Sequence, residues 1–411
     1  MITQDAFTNG KMVINSILSK VNFLNKKQFV FISEILLLFI SLRGRHNFLQ
    51  MSREGYRNEK SFRYQFENTF DWLDFNTELI KSHCSEKIII GFDPSFIKKS
   101  GKHSPGLGYF YSGCQARYSK GLEIGSFAAI DTLQKTAYHL EAIQSPSSKR
   151  DRITESKTLV DYYAELVVAK SKKLQKLSSV LVCDAYFTKI KFVDKACDEA
   201  GFELIGRMRD DANLRYLFNG KQKDGRGRPR KFDGKLDTKN IDKRRIKLVD
   251  EDEDCRIYTA IVNSVGLKRN IRIAYVEHKI KNKVVNKIYF STNVNRDAIR
   301  LLEYYKLRFQ MEFIFRDAKQ HMGLEHCQAR SENKLHFHFN TSLSSVSVAK
   351  VIARKGMDNE QKSSISISDI KTEFQNRNII NRIFSIYGIK RKLIKINLSY
   401  RKLLDFGKIA A

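Results

Sequence analysis

Proline is scarce in this sequence, four in 411 residues, and tryptophan occurs once, as Trp72. So few prolines argue against long disordered linkers. The six cysteines are scattered and form no Cys-x-x-Cys pair, which gives no support to a structural zinc site or a disulfide framework. They read as reduced, packed thiols. Acidic side chains are also in short supply: 45 Asp and Glu face 74 Lys and Arg, a formal charge of +29. That excess repels itself unless a polyanion neutralises part of it, and nucleic acid does so with release of counterions. A ribosome-associated or RNA-binding protein fits the charge equally well. Long apolar runs are missing. The most apolar stretch, residues 29–42, is 14 residues long and includes Ser33 and Glu34. A membrane span needs about 20 apolar residues, so a buried helix is expected there and no membrane partner. The opening MITQDAFTNGK has no basic-then-apolar leader pattern, and a cytoplasmic location is expected. There is no phosphate-cradling loop, dinucleotide fingerprint or Ser-His-Asp order.

What is present falls into segments. Residues 1 to about 80 read as helical, with Phe29, Ile32, Ile35, Leu36 and Phe39 at helical spacing. After Arg43-Gly44-Arg45 comes a short helix, a glycine turn and a second helix carrying Arg53, Arg57 and Lys60. That pattern resembles a helix-turn-helix reader of DNA, or it is a solvated charged face. From Lys87 the pattern turns to strands. Ile88–Phe92 lead into Asp93, and residues 109–123 and 124–130 read as two further strands with a turn near Gly121. A long amphipathic helix is expected from about Thr154 to Leu177. A short apolar strand then ends on Asp184, a helix follows over 188–200, stopped by Gly201, and residues 202–208 form another strand. This order predicts a mixed α/β sheet between helices, with the strands of Asp93 and Asp184 as neighbours. Residues 221–247 hold 12 Lys/Arg against four Asp, and strands are expected over 256–262, 271–276 and 284–291. Residues 297–322 read as one helix. The remainder is helical with a basic tail, eight Lys/Arg against one acid over 381–411.

Two acids at the ends of apolar strands are expensive to bury without a cation or partner. One such acid is ordinarily a cap or a turn; a pair on adjacent strands suits a hard cation with oxygen ligands. On the following helix Tyr305, Arg308, Glu312 and Lys319 stand at offsets 0, 3, 7 and 14. At about 100° per residue they share one stripe, which also describes an ordinary salt-bridged helix.

Tyr305-(2)-Arg308-(3)-Glu312-(6)-Lys319 resembles the Y-(2)-R-(3)-E-(6)-K signature of the bacterial insertion-sequence transposases of the DDE type. The resemblance extends to the order of parts over nearly the whole chain. It implies an RNase H-like core, with Asp93, Asp184 and Glu312 as a catalytic triad holding two Mg²⁺ ions, Mn²⁺ being able to substitute. Tyr305, Arg308 and Lys319 would then contact DNA phosphates. Two such ions about 3.5–4 Å apart activate the attacking oxygen and stabilise the leaving one. The implied partners are double-stranded DNA, at transposon terminal inverted repeats and at the target, and a second copy of the chain to pair two ends. The implied place is the bacterial cytoplasm, at the nucleoid.

The resemblance also implies five segments: 1–82 a helical DNA-binding domain, 83–210 the first part of the core, 211–296 a β-rich basic insertion, 297–345 the last part of the core, and 346–411 a helical basic C-terminal region. Its relatives form DNA hairpins with an aromatic residue that holds a flipped base, a Trp of the insertion in the known pattern. This chain departs from that, since its only Trp is Trp72; Tyr289 and Phe290 are the substitutes available. Residues 225–231, with Arg226, Arg228 and Arg230, resemble an AT-hook core without its leading proline, or form a basic loop making non-specific phosphate contacts. Two other functions compete: a non-catalytic DNA-binding protein such as a repressor, and a related nuclease without strand transfer.

Overall fold

The computed structural model describes residues 6–22, 24–113, 115–147, 157–222, 228–280, 283–355, 366–389 and 398–409. In chain order, five helices come first: α1 (Ala6–Leu18), α2 (Lys26–Ser41), α3 (Phe48–Glu54), α4 (Glu59–Gln65) and α5 (Trp72–His83). Strands β1 (Ile88–Lys98), β2 (Gly108–Ser112), β3 (Arg117–Asp131) and β4 (Thr136–Gln144) follow. Next are α6 (Leu159–Leu174), β5 (Val180–Val182), α7 (Ile190–Asp194) and β6 (Glu203–Arg207). Six strands come after these: β7 (Leu214–Leu217), β8 (Phe232–Leu236), β9 (Lys247–Glu251), β10 (Cys255–Ser264), β11 (Arg269–Ile280) and β12 (Lys283–Ser291). Helices α8 (Ala298–Leu307), α9 (Gln310–His321), α10 (Glu332–Lys355), α11 (Ile367–Ile386) and α12 (Leu398–Asp405) complete the chain.

The chain divides into two compact units. The first holds Met1–Glu86, Pro94–Asp151 and Gln310–Ala411; the second holds Lys87–Asp93 and Arg152–Phe309. The five consecutive segments read from sequence are thus shared out differently, with residues 83–210 contributing to both units.

In the first unit the N-terminal helices form where the apolar spacing predicts them. Asn25, Asn47, Asn58 and Asp71 each accept a backbone N–H at the start of α2 to α5, satisfying a donor that the first turn leaves open. Phe31, Ile32, Ile35, Leu36 and Phe39 of α2 are buried. No helix among the described residues is long and apolar enough to cross a membrane.

The strands of this unit correct the sequence reading. The turn lies between Ser112 and Arg117, and Gly121 sits inside β3. A Cβ at Gly121 would collide with the Ile97 carbonyl oxygen and the Phe96 ring. Glycine here permits close approach of β3 to β1, a use that a sequence cannot separate from turning. The expected break between residues 123 and 124 is also absent. The further strand is β4, paired antiparallel to β3 from Ile124↔Gln144 to Asp131↔Thr136.

Helix α10 covers β4 with polar side chains. Asn340 Oδ1 accepts from Ala142 N at 2.8 Å, and its Nδ2 donates to Ala142 O at 2.9 Å. Ser347 Oγ accepts from His139 N, and Asn76 Nδ2 donates to Leu140 O, both at 2.8 Å. Backbone groups that another strand would have paired are satisfied by buried Asn and Ser, which protects the edge from foreign pairing.

In the second unit β5 runs parallel to β1, with Ile90↔Leu181 and Gly91↔Val182 in register, and parallel to β6 on its other side. β12 adds antiparallel to β6 and is followed by β11 and β10; β7 and β9 both pair with β10, and β8 pairs with β7. The sheet is therefore mixed. The stretch read as an insertion continues the same sheet through β12 and β6, and β7, β8 and β9 are strands beyond the three expected. Helix α6 starts on a capping box between Thr158 and Asp161. The expected earlier start near Thr154 falls outside the described residues.

The expectation of one continuous helix over 297–322 is corrected. It stops at Leu307 and restarts at Gln310. Arg308 N and Phe309 N bond to carbonyls three residues back, at 3.1 and 3.3 Å. That tightening changes the rotation per residue, so the single stripe drawn through offsets 0 to 14 does not hold across the break.

Candidate active site

Strand register carries Asp93 and Asp184 to the same end of the β1–β5 pair. The parallel pairing of β1 and β5 ends at Gly91 and Val182, and each acid lies two residues beyond its paired position. Asp93 does not end its strand, as the sequence suggested; β1 runs on through Pro94 to Lys98. Proline is tolerated there because β5 no longer needs an N–H at that level. Asp184 leaves β5 and caps a short 3₁₀ turn, accepting from Tyr186 N at 2.9 Å.

Between these acids and α8 stands Arg308. Its Nη1 lies 3.5 Å from Asp93 Oδ2, both side chains about 15 % exposed (15 % and 16 %). Burial raises the Asp184 carboxyl above its usual range, while the field of Arg308 and the N–H groups of Tyr186 and Phe187 pull it down. The upward effect of burial prevails, so the Asp184 carboxyl stays raised in spite of Arg308, the two N–H groups and the weaker field of Lys189. Burial, followed by the fields of Asp184 and Asp93, also lifts the Cys183 thiol, and that thiol is no nucleophile at neutral pH.

Tyr305 joins the same group. Arg308 Cζ is 5.9 Å from its ring centroid, and the Tyr289 ring is 4.7 Å away. Burial raises the Tyr305 phenol, opposed by Arg308 and seconded by the field of Asp184. Two residues unnoticed in the sequence belong here. Arg207, ending β6, acts electrostatically on both Tyr305 and Tyr289. Tyr186, 42 % exposed, lies two residues after Asp184 with Lys189 Nζ 4.3 Å over its ring. Their signal was position: Arg207 is the last residue of β6, which pairs with β5, and Tyr186 lies two residues after Asp184.

Glu312 and Lys319 belong to the first unit. Glu312 is exposed in the first turn of α9. Lys319 Nζ donates to Phe96 O at 2.7 Å and lies 3.7 Å from Glu325 Oε1. Its ammonium thus fastens α9 to the latter part of β1, three residues beyond Asp93.

The remaining candidates differ in availability. Arg53 and Lys60 are exposed. Arg57 is tied to Glu34 at 2.7 Å and stacks 5.5 Å over Phe31, a role inside the fold. Arg228 is exposed. Arg230 bonds Phe232 O and pairs with Asp233 while lying 4.8 Å over Phe218, which removes one arm of an AT-hook. Arg226 lies outside the described residues. Phe290 is fully buried and Tyr289 8 % exposed. A base cannot stack on Phe290, which corrects that suggestion, and Tyr289 is already taken by Tyr305.

Among the described residues no three His, Cys, Asp or Glu side chains form a metal shell. The two aspartates nevertheless fit a divalent cation: they are hard oxygen donors, and Mg²⁺ retains most of its waters and uses few protein ligands.

A mixed sheet flanked by helices, with two aspartates just past the end of a parallel strand pair, defines an α/β protein. More specifically, a family model described as "Transposase DDE domain" matches residues 111–346, over half of the chain, and the protein belongs to that transposase family. The match takes in Asp184, Tyr305, Arg308, Glu312 and Lys319 and begins after Asp93. A search of curated proteins returns no match.

Proposed function

We propose that this protein cuts DNA at transposon ends and joins the freed ends to target DNA by Mg²⁺-dependent phosphoryl transfer. The observation that supports the reading is the β1–β5 register, with Asp93 and Asp184 each two residues past the last paired position, in a chain of a transposase family. The element order from β1 to β6 resembles an RNase H-like core. Asp93, Asp184 and Glu312 would hold the metal, as the matched spacing Tyr305-(2)-Arg308-(3)-Glu312-(6)-Lys319 suggests. When bound, a metal pair activates the attacking oxygen and stabilises the leaving one. Arg308 orients Asp93 and faces incoming phosphate, and Tyr305 packs beside it. Lys319, through Phe96, holds the Glu312 helix along β1. Arg53 and Lys60 are available to the terminal repeats and Arg228 to non-specific phosphate contact. Two copies would pair two ends.

In this reading a flipped base in a hairpin intermediate would rest on Tyr186, the exposed aromatic nearest Asp184 in sequence, in place of Tyr289 or Phe290.

The test is one assay on labelled DNA bearing the element's own ends and a target duplex, with Mg²⁺, Ca²⁺ or EDTA. Cleavage and joining with Mg²⁺ alone are expected. Cleavage without joining selects a nuclease, and binding without cleavage a repressor; either rejects the proposal. A denaturing gel of the same reaction shows whether hairpins form.

A further inference from the structure

The β2–β3 hairpin carries a surface that the catalytic reading leaves unused. Register places Tyr109 opposite Lys120 and Tyr111 opposite Tyr118. Directly opposed residues share a face, and alternation sends their neighbours to the other side. One face therefore shows Tyr109, Tyr111, Tyr118 and Lys120, and the reverse face carries the buried Phe110. The three phenol rings are 71 %, 53 % and 72 % exposed. Tyr111 and Tyr118 meet edge to face at 5.7 Å, so each fixes the other's ring plane.

Three exposed tyrosines on one ribbon exceed what chance surface apolarity requires. Their charge setting narrows the partner. From Pro94 to Leu122 the sequence holds Lys98, Lys99, Lys102, Arg117 and Lys120 and no acid at all. Lys99 is engaged with the Cys327 carbonyl, which leaves the other four for a polyanion. A second copy of the same ribbon would bring like charges together and be repelled, so self-pairing through this face is disfavoured.

We infer that the Tyr109–Tyr111–Tyr118 face of this hairpin binds single-stranded DNA, stacking unpaired bases on the phenol rings and taking phosphate on Lys120, which shares that face. Base–aromatic stacking is sequence-tolerant because every base has a π face. A tyrosine rather than a buried phenylalanine suits the position, since its hydroxyl keeps the empty face wetted. The inference rests on the transposase reading for the source of the strand, namely DNA opened at a cut. Its own content is the class of ligand and the face that holds it.

The experiment uses the full chain and two labelled probes, oligo-dT and a blunt duplex, followed by fluorescence anisotropy at fixed salt. A triple variant, Tyr109→Ala, Tyr111→Ala and Tyr118→Ala, is compared with the triple Tyr→Phe variant. All three side chains are exposed, and circular dichroism checks the fold. Expected is a loss of oligo-dT affinity of tenfold or more in the alanine variant, retention within twofold in the phenylalanine variant, and duplex affinity within twofold in both. Unchanged oligo-dT binding in the alanine variant overturns the inference. Equal loss on both probes also overturns it, by showing a general phosphate contact. If the unaltered chain binds oligo-dT through this face yet cleaves no DNA end, the catalytic reading fails and this one stands.

Discussion

Two charged regions of the second unit are built on opposite terms. At the diverging ends of β1 and β5, two carboxylates share one guanidinium, and burial leaves the Asp184 carboxyl raised despite it. Around β7 to β10, in contrast, charges answer one another. Asp233 receives both Arg230 and Arg245, Lys243 meets Glu277 at 3.1 Å, and Arg256 meets Glu251 at 2.6 Å. The guanidiniums of Arg215, Arg230 and Arg245 also lie 3.8, 4.8 and 4.5 Å over Phe232, Phe218 and Tyr216. Ion pairs matched in this way hold a shape. At the acid pair a carboxyl stays raised by burial, and perturbed groups of that kind are enriched at functional sites.

The sharpest way to break the comparison is to remove a charge from the acid pair. Asp93→Asn or Asp184→Asn should lower Mg²⁺-dependent cleavage on the order of 10³-fold or more, with duplex affinity retained. Asp184→Asn carries a second signature. A carboxyl raised by burial destabilises the fold wherever it is ionised, so the penalty is present above its folded pKa and vanishes in acid. In EDTA at neutral pH the Asp184→Asn protein should therefore unfold at a higher temperature than the parent, and the gain should fade as pH falls. A lower midpoint at neutral pH would mean that Asp184 is a structural cap, through its bond to Tyr186 N, and the contrast between the regions would fail.

Arg308 tests the same side more gently. Arg308→Met should reduce cleavage about 10- to 100-fold, as outer partners of ligands do, while Arg308→Lys should recover part of it by restoring charge without the planar fork. Equal rates for the two variants would show that its charge does not matter.

Much of this was legible beforehand. The acid pair could be anticipated because apolar runs ending in Asp93 and Asp184 report buried parallel strands, and register does the rest. Gly121 could not, because glycine marks both turns and close approaches. Nor could the break at Arg308, since Tyr305 to Lys319 keeps a helical apolar pattern on both sides of it. The edge cover of β4 was hidden for another reason. Asn340 and Ser347 look like residues for a solvated face, yet both are fully buried. The unpaired backbone of β4 is the reason, and that becomes visible only with the strand in place.

Burial shifts ionisation on that buried face of the first unit too, with the opposite sign. Burial lowers His139 to about 3 and His338 to about 4. Both stay neutral in the fold while the unfolded chain protonates near 6.5. Protons then favour unfolding, so stability should fall as pH drops from about 6.5 toward 4, by up to about 1.4 kcal/mol per pH unit for each histidine. Urea midpoints at pH 6.5, 5.5 and 4.5 measure this. His338→Asn should flatten the slope, and an unchanged slope would place the acid sensitivity elsewhere.

The smallest effect belongs to the matched region, and its smallness is the point. Asp233→Ala removes the acceptor shared by Arg230 and Arg245. Both pairs are partly exposed, at 59 % and 35 % for the arginines, so each contributes no more than about 1 kcal/mol. Both guanidiniums also keep their ring partners after the change. Urea unfolding should show a loss of about 1–2 kcal/mol at most, and Mg²⁺-dependent cleavage should stay within about threefold of the parent, a barrier change well under 1 kcal/mol. A cleavage loss approaching that of Arg308→Met would mean that this network reaches the acid pair, and the division between shape-holding and ligand-taking charge would have to be redrawn.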